Sequence, residues 1–184
     1  MERLKIFSTG FSELDQQIKG GFHLGTLSVI ASRPGMGKSS FLLSTLASQI
    51  EKTNPIIVLF SLEMSSSMIK LSLVAQLAGV EFRKVRKGEL SPKEKSAVDK
   101  AQLKMEQAKI FIDDRSGLRP EDMQKELERI CSQEGQIDLV AIDYIQLMGV
   151  DSDCSRSIKS GSRLEQSFWI AERLKDLAVK LNVP

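Results

Sequence analysis

The sequence holds only two cysteines and one histidine in 184 residues, and that scarcity excludes several kinds of protein at once. Cys131 and Cys154 lie far apart and form no CxxC pair. Neither a disulfide framework nor a zinc site is expected, and His23 alone leaves little nitrogen for a metal. Long apolar runs are lacking as well. No stretch approaches the roughly 18 residues that a membrane span requires, and the opening MERLKIFSTGF carries no apolar segment of a secretion signal. No membrane partner is expected, and a reduced, cytoplasmic compartment is. Excess charge of one sign is missing too. The formal net charge is +2, so a nucleic-acid surface would have to be a local patch and not a global field.

What is present is the composition of an ordinary globular domain, 41% hydrophobic and 27% charged. The length suffices for one domain with a substantial core, over residues 1–184. Short apolar runs alternate with longer amphipathic stretches. Leu27-Ser28-Val29-Ile30-Ala31, Ile56 to Phe60 behind Pro55, Ile110-Phe111-Ile112, and Ile137 to Ile142 predict strands. Runs this unbroken suit strands covered on both faces. Helical spacing appears from Ser40 to Glu51, from Ser65 to Ala78, from Pro120 to near Gly135, and from about Leu164 onward. Ser91-Pro92-Lys93-Glu94 predicts a helix start, with Ser as cap, Pro in the first turn and Glu94 completing a capping box. Strands alternating with helices imply right-handed crossovers and an α/β fold with a mostly parallel, doubly wound sheet flanked by helices. Residues 149–163 show no such pattern and predict a mobile loop, either functional or a plain linker.

The predicted strand at Leu27–Ala31 runs into Ser32-Arg33-Pro34-Gly35-Met36-Gly37-Lys38-Ser39-Ser40, and a helix follows. Strand, glycine-bearing turn, Lys-Ser and helix form a P-loop, although Ser32 stands where the general pattern has Gly. Gly35 and Gly37 allow backbone N–H groups to turn toward phosphate oxygens, and the helix presents its positive end to them. Lys38 would reach the β- and γ-phosphates of ATP, and the Ser39 hydroxyl would ligate Mg²⁺. Leu139-Val140-Ala141-Ile142-Asp143 is an apolar strand ending in an acid. Asp143 is therefore either a magnesium-side carboxylate, acting through water, or an acid that merely starts a turn. Glu63, in Phe60-Ser61-Leu62-Glu63-Met64-Ser65, ends the strand beside it. It either polarises the water that attacks the γ-phosphate or caps the helix that follows.

Taken in order, these strings resemble one family. Phe7-Ser8-Thr9-Gly10-Phe11-Ser12-Glu13-Leu14-Asp15, Gly20-Gly21, Arg33 to Ser39, Phe60 to Ser65, and Ile142-Asp143-Tyr144-Ile145-Gln146-Leu147-Met148 are similar to the ATPase domain of DnaB-type hexameric helicases. The likeness covers nearly the whole chain. It implies a RecA-like P-loop NTPase core, incomplete at its C-terminus and lacking the last strands. It further implies ATP hydrolysis between subunits of a ring that moves along single-stranded DNA and unwinds duplex during replication, with primase and a loader protein as partners. By matching position, Lys38, Glu63 and Asp143 become catalytic and Ser39 and Asp143 the magnesium ligands. The loop falls where a DNA-facing segment lies, so Arg156, Lys159 and Arg163 become candidate phosphate contacts. Two rival readings are a nucleotide-dependent interaction module with little turnover and a RadA- or recombinase-like ATPase; the SLEMS and IDYIQLM strings favour the helicase branch.

Overall fold

The computed structural model describes residues 6–150 and 162–184. In chain order its elements are β1 (Ile6–Phe7), α1 (Ser12–Gln17), β2 (Phe22–His23), α2 (Lys38–Lys52), β3 (Ile57–Ser61), α3 (Ser66–Ala78) and α4 (Phe82–Lys87). Then come α5 (Pro92–Gln107), β4 (Ile110–Asp113), α6 (Pro120–Glu134), β5 (Leu139–Asp143), a 3₁₀ turn (Ile145–Leu147) and α7 (Arg163–Leu181).

The sheet of three strands has the order β4-β3-β5, with both pairings parallel. From β3 the chain crosses to β4 on one side, then returns past β3 to β5 on the other. Right-handed crossovers running in opposite directions place their helices on opposite faces. The side chains of β3 divide accordingly: Val58 and Phe60 pack with residues of α6 and α7, whereas Ile57 and Leu59 pack with residues of α2 and α3. All four are at most 1% exposed. The doubly wound reading therefore holds, and Trp169 on α7 lies in the core at 9% exposure.

One predicted strand does not form. Residues 27–31 join no ladder, and Val29 and Ile30 are 67% and 46% exposed. The β-branched run has the right composition, but a strand needs a backbone about 4.7–4.9 Å away, and a cavity of about 910 Å³ separates this run from β5. The edge of β5 that faces the cavity is bonded instead by the chain's last residue, through the Val140 N–H and the Pro184 carbonyl at 3.1 Å. Propensity without a partner does not make a strand.

The N-terminal strings build a brace against α2. β1 and β2 pair antiparallel, with Phe7 opposite Phe22. The Asp15 carboxylate accepts hydrogen bonds from the Ser8 hydroxyl at 2.6 Å, the Thr9 hydroxyl at 2.7 Å and the Thr9 N–H at 2.8 Å. Burial pushes the Asp15 carboxyl up, but these bonds outweigh it and hold it below the usual range. Gln49 of α2 donates to the Ser8 carbonyl at 2.9 Å, and Phe11 stacks on Phe41 of α2 at 5.1 Å. Gly21 sits at φ +135°, where a Cβ would stand 2.3 Å from the Phe7 carbonyl oxygen.

The start of α5 follows local chemistry. The Ser91 hydroxyl accepts from the Glu94 N–H at 3.3 Å while Glu94 accepts from the Ser91 N–H at 2.8 Å, the reciprocal pair expected from the sequence. The Lys84 ammonium beside Glu94, together with these bonds from Ser91, lowers its carboxyl to about 2.

Two outcomes are expected. Gly21→Ala should cost about 1–3 kcal/mol through its backbone conformation and the clash with Phe7, read from the denaturant midpoint. Glu94 has a lowered folded pKa, so its stabilisation is complete above about 4.5 and falls away as the pH drops toward about 2. Denaturation midpoints of Glu94→Gln and the parent should differ at pH 6 and converge toward pH 2.5.

Candidate nucleotide site

The turn between residues 32 and 37 is shaped by its two glycines. Gly35 lies at φ +76° and Gly37 at φ +88°, and a Cβ at Gly35 would meet nothing within 4 Å. Glycine there answers to backbone conformation and not to crowding. Gly37 is the N-cap of α2, no side chain caps the helix, and its first turn carries no acid. The first N–H groups of a 15-residue helix thus face open space with the positive end of the helix dipole behind them. Lys38 folds back over the turn and donates to the Ser32 carbonyl at 3.3 Å, so Ser32 at the departing position still closes the loop. Arg33, Pro34 and Met36 are exposed around it, and Ser39 and Ser40 occupy the first helical turn.

The acids arrive on the sheet. The register pairs Ser61 of β3 with Asp143 of β5. Both strands therefore end at one level, and the chain beyond β3 is tied to β5 by the Leu62 N–H, which donates to the Asp143 carbonyl at 2.7 Å. Lys38, Ser39, Glu63, Asp143 and Gln146 all line the one cavity of about 910 Å³ between the P-loop and the carboxyl ends of the strands. Crevices at that end of an open α/β sheet are where ligands bind.

The alternatives left open for the two acids can be compared with this geometry. Asp143 is 9% exposed, and among the described residues its carboxylate bonds no turn; the 3₁₀ turn after it closes through backbone alone, Leu147 N–H to the Tyr144 carbonyl at 3.1 Å. Glu63 does not cap α3. The N-cap is Ser65, and the first N–H of the helix, that of Ser66, donates to Asp114 at 2.7 Å. Glu63 is exposed at the mouth of the cavity, with no side-chain partner among the described residues.

A triphosphate with Mg²⁺ fits this donor set. An uncapped helix start, two left-handed glycines and one ammonium group suit phosphate oxygens. A hydroxyl and a carboxylate across the same cavity suit a hard divalent cation.

Of the candidate DNA contacts, Arg156 and Lys159 lie outside the described residues, as does most of the expected loop. Arg163 is the first residue of α7, exposed, and does not line the cavity with Lys38 and Asp143. Gly149 is pinned, its N–H donating to the Leu118 carbonyl at 3.0 Å. Sequence reasoning did not single out Gln146, Ser61 or Asp114. Asp114 carried only a general signal, as the second of two acids after the apolar run Ile110–Ile112, whereas Asp143 follows Leu139–Ile142 directly. The bond it makes, to a residue 48 positions away, had none.

The family model described as the DnaB-like helicase C terminal domain matches residues 7–184. Replicative DNA helicase DnaB of Geobacillus stearothermophilus is 32% identical over 176 residues, which is 96% of this chain and 37% of that protein. The chain thus spans little more than a third of that relative. Among solved structures, one of a DnaB-like replicative helicase and its interactions with primase superposes with a TM-score of 0.85 at 22% identity, over 100% of this chain and 44% of that one. A second solved structure, that of an ATPase domain, superposes at 0.84 and 23% identity, over 98% of this chain and 62% of that one. Both share the fold, and the family match falls on the helicase branch.

Because Glu63 has no structural partner among the described residues, Glu63→Gln should leave folding stability within about 0.5 kcal/mol of the parent, measured by chemical denaturation.

Proposed function

The chain belongs to the DnaB-like helicase C-terminal domain family, and from that premise we propose that it binds ATP with Mg²⁺ and hydrolyses it as the motor core of a replicative DNA helicase. The observation that carries this reading is the convergence of Lys38, Ser39, Glu63 and Asp143 on one cavity, at the carboxyl ends of β3 and β5 and the start of α2.

Each residue has a part that follows from its place. Backbone N–H groups of the Ser32–Ser40 stretch bind phosphate oxygens, and Lys38 leaves the Ser32 carbonyl to neutralise the terminal phosphates. The Ser39 hydroxyl and the Asp143 carboxylate would hold Mg²⁺, which would supply charge compensation on the phosphates. Glu63, exposed at the mouth, accepts the proton of the attacking water. In the assembled protein six copies form a ring around single-stranded DNA, with Arg156, Lys159 and Arg163 contacting its phosphates, and primase and a loader protein as partners.

One observation favours a second reading for the chain by itself. Lys38 is the one cationic side chain among the described residues lining the cavity. A second cation on the terminal phosphate can supply about 10³–10⁵ of rate, so the isolated chain would act as a nucleotide-dependent module with little turnover.

Lys38→Ala should abolish ATP binding in titration calorimetry, and unchanged affinity would refute the nucleotide site. Glu63→Gln should bind ATP normally and lose about 10²–10⁴ of turnover. Strong DNA-stimulated hydrolysis by the isolated chain would exclude the low-turnover module.

A further inference from the structure

We propose that Asp114, just beyond the end of β4, is a positioning residue that holds Glu63 at the cavity by capping α3 from a distant part of the chain. The inference rests on the reading of Glu63 as the general base.

Glu63 lies in the four-residue connection from β3 to α3, and that connection is fixed at both ends by bonds that do not involve Glu63. At its start, the Leu62 N–H donates to the Asp143 carbonyl at 2.7 Å. The Ser61 hydroxyl, 2% exposed, then clamps the turn across its chord: it donates to the Met64 carbonyl at 2.8 Å and accepts from the Met64 N–H at 3.2 Å. At its far end, Ser65 stands at the N-cap but makes no cap bond; its hydroxyl is 3.0 Å from that of Ser67. The Asp114 carboxylate takes over that role at 2.7 Å from the Ser66 nitrogen. The hydrogen bond from Ser66 holds the Asp114 carboxyl below the usual range, so it is ionised at neutral pH and complements the positive end of α3.

The consequence is a division of labour. Glu63 itself is unpartnered among the described residues and free to face water, while its backbone is set by β5 through Leu62, by β3 through Ser61, and by the end of β4 through Asp114. Removing the Asp114 bond frees the helix start and lets the tip of the turn drift. A displacement of about 1 Å at a catalytic group is enough to cost rate on the order of a hundredfold.

The experiment compares the parent with Asp114→Ala, Asp114→Asn, Glu63→Gln and the Asp114→Ala, Glu63→Gln double variant. Measurements are ATP affinity, steady-state hydrolysis, and amide shifts and exchange at Glu63 and Ser66 by NMR. Asp114→Ala should lower turnover on the order of ten- to a hundredfold, with ATP affinity within about twofold of the parent. Asp114→Asn, whose amide oxygen can still accept from Ser66, should recover most of that loss. In the Glu63→Gln background the alanine should change nothing further. The proposal is overturned if Glu63→Gln lowers turnover and Asp114→Ala does not, if the Asp114→Ala loss is the same in both backgrounds, or if weakened ATP binding accounts for it. It is also overturned if the Glu63 and Ser66 amides keep their shifts and exchange in Asp114→Ala, whatever the turnover. If those amides move in Asp114→Ala while Glu63→Gln turns over as fast as the parent, Asp114 positions the turn and the general-base reading is what fails.

Discussion

β3 is enclosed on four sides: hydrogen-bonded to β4 and β5 in its plane, and covered by α2 and α3 on one face and α6 and α7 on the other. Everything at the nucleotide cavity depends on that enclosure. Burial of Ile57, Val58, Leu59 and Phe60 contributes roughly 1.5–3 kcal/mol for each side chain, and it can do so only if both neighbours keep their register. The register in turn sets Ser61 beside Asp143, so the strongest packing in the molecule also decides that the two acidic segments end at the same height. Slipping either strand by one residue would turn Asp143 away and expose apolar residues to water, which makes the level of the site a by-product of the core.

The same economy governs the P-loop side. A helix start without a side-chain cap forgoes stabilisation, but with glycine at the N-cap the loss relative to Ser or Asp is only about a few tenths of a kcal/mol, and Gly37 holds that position in α2. The helix is held instead from its far half, where Gln49 reaches the Ser8 carbonyl, and by the stack of Phe11 on Phe41. The brace built by Asp15 thus lets the first turn of α2 remain open for a ligand. α3 solves the opposite problem. Its start needs no ligand, and it is capped, but by Asp114 from beyond the end of β4. One helix start open and one closed, both at the carboxyl end of the sheet, define the two walls between which a nucleotide phosphate and an attacking water would meet.

The chain belongs to the DnaB-like helicase C-terminal domain family and spans little more than a third of the Geobacillus stearothermophilus relative. Superposition on a solved ATPase domain over 98% of the chain shows a shared fold, and within this chain the P-loop, strand-end acid and β3–α3 turn all come from contiguous segments meeting at one end of the sheet.

Much of this could be read from residue order. Patterns of period 3.6 located α2, α3, α6 and α7, because an amphipathic stripe has one way to be buried, and Ser91-Pro92-Lys93-Glu94 declared its helix start through bonds that span three residues. Lys38, Ser39, Glu63 and Asp143, the residues of the proposed nucleotide site, could be picked out as candidates for a similar reason, since each is announced by the segment that carries it. Residues 27–31 were not. Their composition is that of a strand, but hydrogen-bonding partners are a property of what lies alongside, and here a cavity lies alongside. Nor could sequence distinguish Glu63 as cap from Glu63 as a free carboxylate, because the answer hung on Asp114, 48 residues from the helix it caps. Local chemistry decided which residues could bind a nucleotide; the parallel register of β3 with its neighbours decided that they would face one another.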